Sequence, residues 1–324
     1  MQTRRRSLAL IAGVSLPYLI SPARAQVWPE RSVTLMVPFS AGGNTDGIAR
    51  IVARRLSEAF DHPVVVENRG GAGGAIAATS VARAKPDGYM LLMAALPVIA
   101  IVPAMTKVRF DPVKDFTAIS NVATNPFVLV VNNDVPVKTL EEFIGYVRAR
   151  PNALSYASAG PGSLNHLSMA LFLKLAGLKM IHVAYKGNAP ALSDVIAGHI
   201  PAMFSNLSDA LAHRTSGYIR LLAVSSEARA TKIPDVPTVA ETGFPQYKTL
   251  TWNGLLAPAG TARSVVDRIA NEIASAVRDP DFASRLANYG ADPLGNTPEE
   301  FAAMISADVA FWAQAVKASG LGPG

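Results

Sequence analysis

Apolar and polar positions alternate between two kinds of segment along this chain. Ser32–Val37 (SVTLMV), Pro63–Glu67 (PVVVE) and Tyr89–Ala95 (YMLLMAA) are short, nearly unbroken apolar runs, and each predicts a strand buried on both faces. Between them, Asn44–Phe60 sets Ile48, Ile51, Val52 and Leu56 at helical spacing, and a second helix is predicted around Ala75–Ala84. Strands of this kind separated by helices imply a parallel α/β sheet covered on both sides, with ligands binding beyond the carboxyl ends of the strands.

Residues 96–125, broken by Pro97, Pro103 and Pro112, read as irregular. The pattern then resumes with strands over Phe127–Asn132, Leu154–Ser158, Met180–Tyr185, Ala202–Phe204, Tyr218–Ser225 and Leu250–Ala257. Helices are predicted over Leu140–Arg150, from Ser163 through Leu175, over Ala189–Ala197 and in a short stretch from Asn206. The C-terminal part reads as helices over Ala262–Val277, Pro280–Tyr289 and Pro298–Ala318, the last opened by Thr297-Pro298-Glu299-Glu300.

Three turns stand out because glycine lies between a strand and a helix. They are Pro38–Asp46 (PFSAGGNTD), Ala159–His166 (AGPGSLNH) and Lys186-Gly187-Asn188. Such a turn aims unbonded backbone N–H groups past the strand end, glycine permits close approach, and the helix dipole favours negative charge. A carboxylate is the natural guest. Many Gly-Gly turns merely connect elements, so it is the repetition of the turn in separate parts of the chain that points to a ligand site.

Composition alters this picture at the N-terminus. MQTRRR, the apolar SLALIAGVSLPYLI and Ala23-Arg24-Ala25 have the form of a secretory signal cleaved after Ala25, with Thr3–Leu8 partly matching a twin-arginine export signal; Sec export remains the other route. Without Arg4, Arg5, Arg6 and Arg24 the basic residues drop from 30 to 26 against 24 acidic ones, so the net charge falls from +6 to +2. No basic footprint for nucleic acid is left. The chain has no cysteine, which excludes disulfides, thiolate catalysis and thiolate metal sites. No cofactor or metal is expected, since the five histidines show no ligand spacing.

The stretches VPFSAGGNTD (37–46), VENRGGAGG (66–74), KPDGY (85–89), DPVKDF (111–116), YASAGPGSLNHL (156–167), HVAYKGNAPAL (182–192), WNGLLAPAGT (252–261) and NTPEEF (296–301) occur in a set order. In them the chain, from residue 26 to about 318, resembles the periplasmic substrate-binding proteins of tripartite tricarboxylate transporters, the Bug or TctC family. The resemblance implies a type II, two-lobed periplasmic-binding fold. Each lobe would be a mostly parallel sheet flanked by helices, with crossover strands near Phe127–Asn132 and Leu250–Ala257. One lobe would comprise 26–125 plus 250–324 and the other 126–249. It also implies a monomer that captures a small carboxylate in the interlobe cleft, a di- or tricarboxylate, amino acid or aromatic acid, and passes it to a membrane permease.

Carried over to this chain, the first gripping loop is Phe39, Ser40, Ala41, Gly42 and Gly43, with Asp46 beyond it. The second is Ser158, Ala159, Gly160, Gly162, Ser163 and His166, with Tyr185, Lys186 and Gly187 nearby. Asp46 is more readily explained as a stabiliser of its helix N-terminus, because a carboxylate repels a bound anion. Trp252 and Asn253 are expected to border the pocket, as is Ser205, which stands where relatives often carry an acid; Arg263 replaces a usual proline. Small residues at Ala41 and Ala159 leave room for a larger acid.

An exported hydrolase acting on a small ester or amide is the competing function. The chain has no Gly-x-Ser-x-Gly, Ser-x-x-Lys or His-Glu-x-x-His. A dinucleotide or phosphate binder is disfavoured as well, because Gly70–Gly74 lacks the third glycine of the fingerprint.

Overall fold

The computed structural model describes residues 28–185 and 187–318. The expected signal segment with its cleavage after Ala25, and Lys186, lie outside them. In chain order the elements are β1 (Val33–Val37), α1 (Asn44–Phe60), β2 (Val64–Asn68), α2 (Ala75–Ala82), β3 (Met90–Ala95), α3 (Val102–Met105), β4 (Phe116–Asn132), α4 (Leu140–Arg148), β5 (Ser155–Ser158) and α5 (Leu164–Ala176). There follow β6 (Ile181–Ala184), α6 (Asn188–Ile196), β7 (Ala202–Asn206), α7 (Leu207–Leu211), β8 (Ile219–Val224), β9 (Leu250–Pro258), α8 (Arg263–Ala276), α9 (Pro280–Ala287), β10 (Asp292–Pro293) and α10 (Pro298–Ala318).

The strands run in the order β2-β1-β3-β9-β4-β7-β5-β6, with β8 and β10 also pairing with β4. β1, β2 and β3 are mutually parallel, as are β5, β6 and β7. Around the middle, β9 and β4 join these two parallel groups by antiparallel pairing. The fold is thus a two-lobed α/β architecture whose halves share β4. Residues Phe116–Pro126 of that strand pair with β9, and Phe127–Asn132 pair with β7 and β8.

Burial on both faces explains the continuous apolar runs of β1, β3 and the second half of β4, whereas β2, expected to be buried on both faces, is an edge strand with Val65 52% exposed. In β1, Val33, Leu35 and Val37 pack with Ile48, Val52 and Leu56 of α1, while Met36 faces Ala77, Ala78 and Val81 of α2. In β4, Val128 and Val130 pack with Leu192 and Val195 of α6, whereas Leu129 and Val131 join a core with Phe143 and Phe172. That last core continues under both halves of the sheet, from Phe301 and Trp312 of α10 to α4 and α5.

Residues 96–125 are irregular only over 106–115. Pro97–Ile101 form a wide helical turn that runs into α3, and β4 begins already at Phe116. Of the prolines that suggested breaks, Pro112 does sit in the irregular stretch, and the other two sit where proline is tolerated. Pro97 and Pro103 are in the opening turns of helical segments. Pro126 lies where β4 exchanges β9 for β7, a place where a missing N–H is least costly. Strand Phe127–Asn132 is therefore only the second half of β4, and β9 pairs with the first group alone, so the change of sheet occurs at Pro126 and Phe127.

Candidate functional site

The carboxyl ends of β1, β3, β5, β6 and β7 converge on a cavity of about 640 Å³. The part of the sheet built on β1, β3 and β9 lines it with Phe39, Ser40, Ala41, Gly43, Asn44 and Thr45, with Ala95 and Pro97 at and beyond the end of β3, and with Thr251 and Asn253 of β9. The other part contributes Ala159, Ser163, Leu164, Asn165, Gly187, Asn188, Asn206 and Asp209, with Phe127 between. The N-termini of α1, α5 and α6 all open here. Gly43 and Gly187 stand at two of those N-caps without a side-chain cap, and Ser163 at the third. Their unbonded first-turn N–H groups and dipoles make the cavity a receptor for negative charge.

The first loop is held from behind by Asp46, which is only 3% exposed. Its carboxylate accepts from Gly42 N at 2.9 Å, Arg50 Nε at 3.0 Å and Asn68 Nδ2 at 2.9 Å, and Asn68 also donates to Phe39 O at 3.1 Å. Burial pushes this carboxyl up, but Arg50, the Gly42 N–H and Asn68 together outweigh it and hold the group below the usual carboxylate range. Gly42 has φ +88°, a conformation that favours glycine, and Gly43 is extended, with Ser40 O 3.9 Å from where a Cβ would stand.

The second loop is braced differently. Buried Ser158 accepts from Gly160 N at 3.1 Å, and its Oγ lies 2.6 Å from His182 Nε2. Ser163 Oγ donates to Gly160 O at 2.7 Å and accepts from His166 N at 3.4 Å, capping α5. His166 Nδ1 accepts from Gly162 N at 3.1 Å, and its ring stacks on His182 at 4.0 Å between centroids, with Tyr156 stacked beyond. Burial, and then the neighbouring His182, lower the His166 pKa to about 4. His166 is a neutral brace at physiological pH and not a cation facing the ligand. Gly160 has φ +127°, and a Cβ there would come 3.2 Å from Tyr185 O.

The floor is a lattice of amides. Asn253 Nδ2 donates to Asn125 Oδ1 at 2.9 Å and Asn44 Oδ1 at 3.4 Å, while Asn44 Nδ2 donates to Tyr289 O at 2.9 Å and Ser208 Oγ at 3.4 Å, reaching across to the second half. On the opposite side, Asn165 Nδ2 donates to Asn188 Oδ1 at 2.7 Å, and Asn188 Nδ2 donates to Asp209 Oδ2 at 2.5 Å and Ser205 Oγ at 3.2 Å.

Among the expected site residues, Phe39, Ser40, Ala41, Gly43, Ala159, Ser163, Gly187 and Asn253 line this cavity. Gly42, Asp46, Ser158, Gly160, Gly162 and His166 stand behind the lining and shape its loops. Tyr185 turns its hydroxyl to Asp194 at 2.5 Å, and Ser205 is fully buried beneath Asn188. Trp252 is a correction. Strand residues alternate faces, so Thr251 and Asn253 face the cleft while Leu250 and Trp252 face a second groove of about 530 Å³ behind β9. There Trp252 is fully buried, packs edge-on against Phe301 at 5.1 Å and donates to Asp308 Oδ2 at 2.7 Å.

Sequence reading missed several lining residues. Asn44, Thr45, Leu164 and Asn165 are first-turn helix positions, findable from the capping pattern. Thr251 shares the face of Asn253 by the period of two. Pro97 was hidden by the irregular reading of the segment after β3, while Ala95 ends β3, Asn206 ends β7 and Asp209 follows it, so these three obey the same carboxyl-end rule as the others. Among the described residues, no group of His, Cys, Asp and Glu has the arrangement of a metal site, and no helix is long and apolar enough to cross a membrane.

Comparison with known proteins adds to this geometry. A family profile described as "Tripartite tricarboxylate transporter family receptor" matches residues 48–321. Relatives include the "UPF0065 protein in tcbD-tcbE intergenic region" of a Pseudomonas species, 37% identical over 313 residues with 95% of this chain and 92% of the relative covered. Protein BugT of Bordetella pertussis is 33% identical over 304 residues, covering 93% of each. Among solved structures, an R. palustris protein with adipate has a TM-score of 0.82 at 35% identity, covering 92% of this chain and 100% of that one. The periplasmic binding protein BugD gives 0.77 at 34%, with 91% and 99% covered, and MatC from Rhodopseudomonas palustris with bound malate gives 0.75 at 32%, with 89% and 100% covered.

Proposed function

The chain belongs to the tripartite tricarboxylate transporter receptor family, a family of periplasmic solute-binding proteins and not of enzymes, and on that premise we propose that it captures a small carboxylate in the cleft between its lobes and delivers it to a membrane permease. The observation that carries this reading is the meeting of three helix N-termini and five strand ends, from both halves of the chain, around one cavity. Structures of relatives hold adipate and malate, both dicarboxylates.

The proposal assigns residues 26–125 plus 250–324 to one lobe and 126–249 to the other, with export by the Sec or twin-arginine route, cleavage after Ala25 and a monomeric mature protein. The N–H groups following Gly43 and Gly187 and those opening α5 donate to carboxylate oxygens, assisted by Ser40. A donor aimed at a charged acceptor contributes about 1.5–3 kcal/mol. Phe39, Phe127 and Pro97 supply apolar walls. Contacts made from both sides bind the closed form better than the open one, and only that difference drives closure.

A thermal-shift panel of mono-, di- and tricarboxylates with their amides tests the proposal. An acid at a hundred times its Kd raises apparent stability by about 2.7 kcal/mol. The reading predicts a shift with an acid and none with its amide. Equal shifts with acid and amide, or ester turnover with no acid effect, would reject it.

A further inference from the structure

Among the described residues that line the cleft, Asp209 alone carries a formal charge, and that charge is negative. We propose that the ligand of this chain carries a protonated amine beside its carboxylate, so that Asp209 receives the ammonium while the loop N–H groups hold the acid. This rests on the carboxylate reading above and narrows it from carboxylates in general to amino acids.

The cleft is chemically polarised. Its anion-seeking groups are the openings of α1, α5 and α6. Its acceptors lie on α7 and β9. The Asp209 carboxylate takes Asn188 Nδ2 on Oδ2 and Ser208 Oγ at 3.3 Å on Oδ1, and its remaining lone pairs have no donor from these neighbours. Asn253, 1% exposed in the floor, spends both its donated hydrogen bonds on Asn125 and Asn44 and leaves its Oδ1 without a partner. A plain dicarboxylate brings acceptors and two negative charges to a wall that already offers acceptors and a negative charge. A ligand with a cationic donor satisfies that wall and lowers the electrostatic cost of binding.

Asn188 makes the arrangement rigid. It is the first residue of α6, it anchors Asp209, and it is itself held by Asn165 at the opening of α5. The carboxylate is thereby fixed relative to two of the N-termini that receive the acid.

Isothermal titration of the purified protein compares aspartate with succinate and glutamate with glutarate, each pair differing by the amine alone. The expected result is an amino member that binds at least about tenfold tighter than its partner. Asp209→Asn, which keeps an oxygen for Asn188, is expected to abolish that preference by weakening the amino acid and strengthening the plain acid. A wild-type protein that binds the plain acid as well or better overturns the inference and leaves the carboxylate reading standing. So does a preference that survives in Asp209→Asn. Absence of binding by any acid, plain or amino, removes the carboxylate reading and this inference with it. The wild-type ratio needs no variant, so a misfolded Asp209→Asn would not shelter the inference.

Discussion

Removing the Asp46 carboxylate tests whether the first loop is held in its gripping shape from behind. In Asp46→Ala three donors lose their acceptor: Gly42 N, Asn68 Nδ2 and Arg50 Nε. The Arg50 side chain is 56% exposed, so its pairing is worth only about 0.2–1 kcal/mol. The other two end on a carboxylate that is 3% exposed, and a hydrogen bond to a charged group contributes about 1.5–3 kcal/mol, giving roughly 2–4 kcal/mol for the variant once non-additivity and the exposure of Gly42 are allowed for. The pH dependence has a definite sign. A carboxyl held below its ordinary value of 3.8 contributes stability above that pH and loses it as pH falls through the folded value, so the variant lacks this acid-side loss. If the released loop keeps its shape about a tenth of the time, ligand affinity falls about tenfold. Urea unfolding of wild type, Asp46→Ala and Arg50→Ala, with ligand titration of each, supplies both quantities. A loss below about 0.5 kcal/mol for Asp46→Ala, or no larger than that of Arg50→Ala, would refute the reasoning.

Trp252→Phe removes the bond to Asp308 behind β9, so it should lower stability by about 1–2 kcal/mol and leave ligand affinity unchanged, as urea unfolding and titration would reveal. Gly43→Ala meets only Ser40 O, at 3.9 Å, an ordinary contact, at a φ any residue adopts and should fold normally with weakened binding, whereas Gly160→Ala, at φ +127° with Tyr185 O 3.2 Å from its Cβ, should lose stability as well; circular dichroism melts beside titrations separate the two outcomes. Because His166 is depressed from 6.5 to about 4, the folded state resists protonation and stability should decline as pH falls between those values; melts of His166→Gln across that range should show a shallower decline.

Much of this site is visible in residue patterns because its parts are local. A turn such as PFSAGGNTD announces its own strand end, its glycines and its helix start, and the structure has all three in place. What stayed hidden depends on partners distant in sequence. Trp252 and Asn253 are neighbours in the chain, and which one faces the cleft is set by the pairing of β9 with β3 and β4. The strand over 116–125 was obscured because it is buried on both faces and carries the polar residues Ser120, Asn121 and Asn125, whose partners are the distant Asn296, Met304 and Tyr289. Nor does an isolated histidine reveal that another will stack on it from β6.

The central claim is that the cleft, and not the groove behind β9, receives an acid on helix N-termini from both lobes. A crystal structure of the complex with the acid selected by titration tests it directly. The account predicts a carboxylate within hydrogen-bonding distance of the N–H groups that open α1 and of those that open α5 or α6. A ligand seated instead against Trp252, Phe311 and Trp312, or one touching a single lobe only, would contradict it.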